Sequence, residues 1–180
     1  MGMDVYGLKP TDKVGEYFRR NVWGWHPLWD YCLDLHPDIA GKVEHGHSND
    51  GDGLGAVNSK KLANRLKADI ESGVAKKYIE DREKAISEMS QQICWLCKGE
   101  TKIFIDNSLT PFVEKLSVSL GCSIPAPTDA KPLEKQEAKD CHVCSATGFV
   151  DPWEKNYYIQ LEDIVEFSKF LEACGGFQIF

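Results

Sequence analysis

Four cysteines occur as two Cys-x-x-Cys pairs, Cys94 with Cys97 and Cys141 with Cys144. A turn of this spacing presents two thiolates from one bend, and zinc prefers four ligands in a tetrahedron. The two turns together therefore predict one zinc ion bound by all four cysteines. Because four protein ligands complete the coordination shell, we expect this zinc to be structural rather than catalytic.

The distance between the two pairs is unusual, since 43 residues separate Cys97 from Cys141. Compact zinc sites more often have roughly 15–20 residues at this place. We therefore expect a long insertion held at its base, within a zinc-stapled subdomain over residues 90–150. An iron–sulfur cluster or thiol redox chemistry would use the same residue type and stays an alternative. A thioredoxin-type motif, however, follows a strand and opens a helix, whereas Cys94 follows a predicted helix.

A second set of side chains suited to chemistry lies in the glycine-rich segment 41–55. Histidines and carboxylates can ligate a catalytic metal or transfer protons. The set consists of His45, His47, Asp50 and Asp52, with His26 and His36 upstream. The same residues are typical of a solvated loop, where Asp and Asn cap turns and the following helix. The alternatives are a metal-dependent hydrolase that uses the loop 45–52 and a loop without chemistry.

Tryptophans are concentrated at Trp23, Trp25 and Trp29, shortly after Arg19 and Arg20. Exposed aromatic rings beside arginines can stack on nucleotide bases or bind a peptide. Rings this closely spaced are also typical of a hydrophobic core. The sequence leaves both interpretations open.

The bulk composition limits the partners and the compartment. The chain has 180 residues, enough for a hydrophobic core that needs no disulfide or metal. A formal net charge of −7 argues against broad binding to duplex DNA or anionic membranes. The sequence contains no signal-peptide pattern and no run of about 18 apolar residues. Seven cysteines with two close pairs favour metal binding in a reducing compartment. We expect a cytoplasmic protein with no membrane contact.

Helical periodicity and punctuating residues predict the elements that position these groups. Pro27 is expected to be the first residue of a short helix, because its fixed φ is helical and its missing N–H is not needed there. His36-Pro37 is expected to end that helix. The glycine-rich segment 41–55 then predicts a loop.

Two further helices are expected to follow this loop. Asn58 is the predicted N-cap of a helix that ends near Gly73, and a second helix is predicted over about residues 75–92. The two helices are expected to form an antiparallel hairpin.

The C-terminal half is predicted less uniformly. Residues 102–106 resemble a short strand, residues 111–120 predict a helix, and the proline-containing segment 123–140 predicts an exposed excursion. Apolar residues at helical spacing over 161–171 predict a helix, and residues 177–180 predict a terminal strand.

Two segments resemble the Cys-rich zinc repeats of the DnaJ co-chaperone family: Cys141–Gly148 (CHVCSATG) and, more loosely, Cys94–Gly99 (CWLCKG). The resemblance covers only these turns, because DnaJ-type proteins carry four such repeats and this chain has two. His36-Pro37-Asp38 matches the tripeptide of that family's separate helical domain, but it lies ahead of the predicted helical hairpin rather than between two helices. The local resemblance implies zinc coordination by the turns.

Over the whole chain, three features resemble a family of small uncharacterised proteins of bacteria and their phages. They are the opening GMDVYG, the tryptophan-rich stretch and the terminal motif Phe-x-x-Phe-Leu-x-x-Cys-Gly-Gly-Phe. This resemblance implies a recurring fold and no particular activity.

The predicted protein is a single α+β domain over residues 1–180, mainly helical, with a zinc-knuckle subdomain built from the two Cys-x-x-Cys turns. A closed zinc shell favours a cytoplasmic accessory or regulatory protein that acts by binding a protein partner. The alternatives are a metal-dependent hydrolase at the loop 45–52 and a nucleic-acid-binding zinc protein. The sequence gives no indication of the oligomeric state.

Overall fold

The computed structural model describes residues 2–103 and 139–180. The chain divides into two compact units, which we call the main unit (Met1–Met89 with Trp153–Phe180) and the knuckle unit (Ser90–Pro152). Five α-helices and three small antiparallel sheets occur among the described residues. The predicted mixed α+β class is therefore confirmed. That residues 1–180 form a single domain stays a prediction.

The elements run through both units. The described helices are α1 Val22–Leu35, α2 Pro37–Ala40, α3 Ala56–Ser72, α4 Val74–Ser87 and α5 Leu161–Ala173. The described strands are β1 Gly2–Gly7, β2 Tyr17–Asn21, β3 Gln92–Ile93, β4 Lys102–Ile103, β5 Lys139–Asp140, β6 Phe149–Val150 and β7 Phe177–Ile179. Short 3-10 helices occur at Lys13–Gly15 and Trp153–Asn156.

A three-stranded antiparallel sheet in the order β2-β1-β7 supports the main unit. Val5 of β1 pairs with Phe18 of β2 on one side and with Ile179 of β7 on the other. All three side chains are buried, whereas Tyr6 and its partner Tyr17 are exposed. Side chains alternate along each strand, so one face of the sheet lies on the core and the other meets solvent.

Aromatic side chains fill the core between the sheet and the helices. The rings of Trp25 and Trp29 on α1 stack with centroids 5.7 Å apart, and Phe167 of α5 packs edge-on against Trp25 at 5.6 Å. These three side chains are almost completely buried. Trp25 and Trp29 are therefore core residues, whereas Trp23 at the start of α1 is 38% exposed.

Pro27 lies inside α1, and the prediction that it begins the helix is wrong. The helix begins five residues earlier, where the side chain of Asn21 accepts the N–H of Gly24 at 2.9 Å. A proline removes the hydrogen bond to the carbonyl four residues before it. Here the Trp23 carbonyl accepts the N–H of Tyr158 at 3.1 Å instead, which offsets the loss.

The boundaries of α3 and α4 also differ from the prediction. Gly55 is the N-cap of α3 rather than Asn58, and the Ser59 hydroxyl donates to the Gly55 carbonyl at 3.2 Å. Gly73 ends α3 with a left-handed φ of 80°, as predicted. The next helix, α4, ends at Ser87 rather than near residue 92, because the chain there enters β3.

The predicted loop 41–55 contains no helix or strand apart from a single bridge between Gly55 and Gly176. Its anchors are backbone hydrogen bonds to β7, from Gly51 N–H to Ile179 O at 2.8 Å and from Ile179 N–H to Asp52 O at 2.9 Å. The loop is therefore held against the sheet.

In the C-terminal half, α5 and β7 confirm the predicted helix over 161–171 and the predicted terminal strand. Only Lys102–Ile103 of the predicted strand 102–106 is described, and it forms β4. The predicted helix 111–120 and residues 123–138 of the predicted excursion lie outside the described residues.

Candidate metal centre

Two arms with the same backbone pattern, residues 92–103 and 139–150, build the described part of the knuckle unit. In each arm a two-residue strand leads into a Cys-x-x-Cys turn, and another two-residue strand follows. Each cysteine of the second arm lies 47 residues after its equivalent in the first. Since β3 pairs with β6 and β4 pairs with β5, each arm holds the other around the cysteines.

Left-handed backbone conformations occur at equivalent positions after the two turns. The paired φ values are 54° at Lys98 and 49° at Ser145, 90° at Gly99 and 60° at Ala146, and 65° at Thr101 and 82° at Gly148. Such a conformation costs a residue other than glycine about 1–2 kcal/mol. Its persistence at four such residues indicates that both turns must curl in the same way.

This curl directs backbone groups to the cysteines. The N–H of Cys94 donates to Gly148 O, and the N–H of Cys141 donates to Thr101 O, both at 2.8 Å. Gly148 N–H donates to the Cys144 sulfur at 3.3 Å, and Gly99 N–H hydrogen-bonds to the Cys97 sulfur. Hydrogen bonds from backbone N–H groups stabilise sulfur in its ionised form.

The four sulfurs lie at the distances expected of ligands to one ion. Cys94 Sγ lies 3.8 Å from Cys141 Sγ, and Cys97 Sγ lies 3.6 Å from Cys144 Sγ. All four ligand atoms lie within 4.8 Å of one another, and none of these cysteines forms a disulfide. The four-cysteine cluster predicted from the spacing therefore exists and could hold a metal ion.

Burial separates this cluster from solvent. Each of the four cysteines is at most 6% exposed, and Leu96, Ile103, Val143 and Val150 pack around them. Burial opposes the ionisation of Cys144, but the Gly148 N–H and the neighbouring cysteines lower its pKa. Burial raises the pKa of Cys97. Because four adjacent thiolates would repel one another, full ionisation of the cluster requires a cation.

The structure does not bring the four loop side chains His45, His47, Asp50 and Asp52 together around one point. His45 Nδ1 lies 3.8 Å from Asp50 Oδ2. Asp52 instead accepts the backbone N–H groups of His45 at 3.0 Å and Gly53 at 2.7 Å. These N–H groups, that of His45 first, lower the pKa of Asp52. Asp52 therefore acts as a turn cap, the role expected of a solvated loop.

His47 contacts α1 rather than the other loop side chains. Its Nε2 lies 3.0 Å from Asp30 Oδ1, and its ring centroid lies 4.7 Å from that of His26. Asp30 was absent from the predicted set, although its position one helical turn after His26 is a signal visible in the sequence. A hydrolase at the loop 45–52 stays a prediction.

His36 of the His-Pro-Asp tripeptide is a buried helix-end residue. It caps the C-terminus of α1, and Pro37 begins α2. His36 is 4% exposed, and its Nε2 lies 2.6 Å from Asp69 Oδ2 on α3. His36 is therefore part of the packing between helices, whereas Pro37 and Asp38 are exposed.

An exposed apolar surface on the knuckle unit was not predicted. Ile93 is 63% exposed, Trp95 is 64% exposed and Phe149 is 49% exposed. Ile93 and Phe149 are paired residues of β3 and β6, so their side chains share one face of that sheet. Cys94 lies buried between Ile93 and Trp95. We call these three exposed side chains, two paired across the sheet and Trp95 two residues after Ile93 in the sequence, the knuckle patch.

Comparisons with known proteins add no relative. No family model matches the chain, and neither the curated proteins nor the solved structures contain a match. The resemblance to DnaJ-type repeats and to bacterial and phage proteins therefore stays a resemblance.

Among the described helices, none combines the length and the apolar character needed to span a bilayer.

Proposed function

We propose that this chain is a cytoplasmic zinc-binding accessory or regulatory protein that acts through protein–protein interaction. The observation that carries the proposal is the buried cluster of Cys94, Cys97, Cys141 and Cys144. Four thiolates complete a zinc coordination shell and leave no position for a reacting water. The zinc would then be structural, and its task would be to hold the two arms of the knuckle unit.

The sulfur distances support a single tetrahedral ion such as zinc rather than a cluster. A Zn–S bond of about 2.3 Å in a tetrahedron places neighbouring sulfurs about 3.8 Å apart. In the structure, the Cys94–Cys141 and Cys97–Cys144 sulfurs lie 3.8 and 3.6 Å apart, and all four sulfurs lie within 4.8 Å of one another. An iron–sulfur cluster, which contains several irons and bridging sulfides, would hold the cysteines further apart than a single ion does.

The knuckle patch supports a protein partner. Several large exposed apolar side chains on one small unit are typical of interaction sites. Ile93, Trp95 and Phe149 lie on the metal-held arms, so zinc would fix the arrangement of the patch. A tryptophan is also the residue type most often found at the energetic centre of an interface.

The balanced charge of the knuckle unit favours a protein as the binding partner over nucleic acid. Its described residues contain three lysines and three acidic residues: Lys98, Lys102, Lys139, Glu100, Asp140 and Asp151. Binding to a phosphate backbone requires an excess of cations. The unit has no such excess, and the whole chain carries a net charge of −7. The expected partner is therefore a protein segment with an apolar face.

Substitution of Trp95 tests this proposal. Partners that co-purify with the tagged wild-type chain from its native host would be compared with those of W95A. We expect one protein to be retained by the wild type and lost with W95A, because the indole is the largest exposed group of the knuckle patch. The retained protein must also bind the purified wild-type chain directly.

Trp153→Ala is the matched control, because Trp153 is 57% exposed but belongs to the main unit. It should retain the partner. Equal binding by W95A and the wild type would contradict the role of the knuckle patch. A ligand removed by nuclease treatment would instead support the nucleic-acid alternative.

A further inference from the structure

A second set of metal-binding side chains lies in the main unit, on α1 and the loop 41–55. His26 and Asp30 are four residues apart on α1 and therefore lie on the same side of the helix. His47 reaches them from the loop: its Nε2 lies 3.0 Å from Asp30 Oδ1, and its ring centroid lies 4.7 Å from that of His26. Two imidazoles and one carboxylate are thus neighbours, linked through His47.

The core tryptophans fix the backbone that carries these two histidines. Trp25, the residue before His26, donates its indole N–H to the carbonyl of Gly46, the residue before His47, at 2.8 Å. A side chain at Gly46 would place its Cβ only 1.9 Å from Trp29 Nε1. The loop therefore lies directly against the indoles, and the meeting of His26 and His47 is built into the core.

The surroundings leave these groups available to a cation. Tyr157 stacks on the His26 ring with centroids 5.5 Å apart, which orients the ring. The His26 ring also hydrogen-bonds to the backbone of His47, which holds it beside the loop. The side chains of His47 and Asp30 are 38% and 53% exposed, which leaves a path to solvent.

We propose that His26, Asp30 and His47 bind a divalent transition-metal ion from solution, with water completing the coordination shell. Imidazole nitrogen with a carboxylate oxygen is a ligand set that zinc, nickel and related borderline ions accept. The site is distinct from the four cysteines and uses only one member of the predicted set of loop residues.

This set is less tightly arranged than the cysteine cluster. Among the residues that the structure describes, only the four cysteines bring three or more ligand atoms within 4.8 Å of one another. To bind all three side chains, an ion would have to bring the His26 ring closer to His47 and Asp30 than it lies in the structure. Because that movement costs free energy, the ion is held more weakly than at the cysteines and exchanges with solvent.

Calorimetric titration with Zn²⁺ tests the inference on full-length protein already loaded with one equivalent of zinc. We expect a second binding event of one ion per chain. H26A and H47A should each weaken that event by at least about tenfold, the effect expected when metal-site contacts are removed. D30N, at an exposed position, gives the same test without disturbing packing.

His45→Ala is the control, because His45 lies in the same loop but contacts Asp50 instead. It should leave the second event unchanged, and the NMR signals of the His26 and His47 rings should shift with zinc while those of His45 do not. No second event, a dissociation constant weaker than about 1 mM, or equal weakening by H45A would overturn the inference. A wild-type protein that does not retain its first equivalent of zinc would instead count against the cysteine site.

Discussion

Gly53 lies where the loop 41–55 touches β7, and a side chain does not fit there. A Cβ at position 53 would lie 1.9 Å from the Phe177 carbonyl oxygen. Since that oxygen belongs to the backbone of a sheet strand, relief requires the loop or the strand to move. We expect G53A to lower the free energy of unfolding by about 1–3 kcal/mol, the usual cost of overpacking. Urea unfolding followed by tryptophan fluorescence measures it.

Gly55 offers a control two residues away. A Cβ there would meet no atom within 4 Å. We therefore expect G55A to cost no more than about 1 kcal/mol, because its only penalty is that alanine is a poorer helix N-cap than glycine. Equal destabilisation by the two substitutions would show that contact with β7 does not hold the loop.

Ligand residues could be predicted from the sequence where they lie close together in it. Cys94 and Cys97 indicate a ligand pair by themselves, and the second pair completes the set. The contact of His47 with Asp30 and His26 was not predictable, because it depends on how Trp25 packs against the loop. Asp52 was predicted as a ligand and a turn cap in parallel, and only the structure shows its hydrogen bonds to His45 and Gly53.

Polar contacts of tyrosines and carboxylates join the helices of the main unit. The Tyr31 hydroxyl on α1 donates to Asp69 on α3 at 2.8 Å, and the same Asp69 oxygen lies 2.6 Å from His36. Tyr78 on α4 donates to Asp34 on α1 at 2.6 Å. Burial, followed by the hydrogen bond to Asp69, raises the pKa of Tyr31 well above 10.

The hydrogen bond from Tyr31 to Asp69 predicts that the free energy of unfolding falls at alkaline pH. The unfolded chain releases the Tyr31 proton near pH 10, whereas the folded chain retains it. Stability from this group is therefore complete below pH 10 and falls as the pH rises further. Wild type should be more stable than Y31F at pH 7, and the difference should shrink by up to about 1.4 kcal/mol for each pH unit above 10. Urea unfolding at several pH values measures it.

The comparison with Y31F removes the effect of lysines and other tyrosines that ionise in the same range. A difference between the two proteins that stays constant from pH 7 to pH 11 would show that Tyr31 ionises equally in both states. The contact with Asp69 would then not hold the phenolic proton.

Elements with strong local signals were predicted well, whereas those that depend on distant pairing were not. The helix over 161–171 follows from its apolar periodicity. β1 and β2 were not predicted, because β1 contains two glycines and an aspartate and is completed by β7 from the other end of the chain. The start of α1 was also predicted wrongly, because Pro27 lies inside the helix, where Tyr158 takes up the Trp23 carbonyl that a proline leaves without a helical partner.

At the scale of the whole molecule, the two units rest on different sources of stability. The main unit has a core of large buried aromatic and aliphatic residues. In the described part of the knuckle unit, the buried members of the hydrophobic cluster are the four cysteines, and the side chains packed against them are only partly buried. Each described strand of this unit is two residues long. We therefore expect the described part of the knuckle unit to depend on an ion held by its cysteines.

Metal content of the purified protein tests this central claim most directly. Elemental analysis of the wild type, C94S and C174S should find one zinc per chain in the wild type and in C174S, and none in C94S. Cys174 is the matched control, because it is buried in the main unit and lies outside the cluster. A wild type without zinc, or stoichiometric zinc in C94S, would contradict the account.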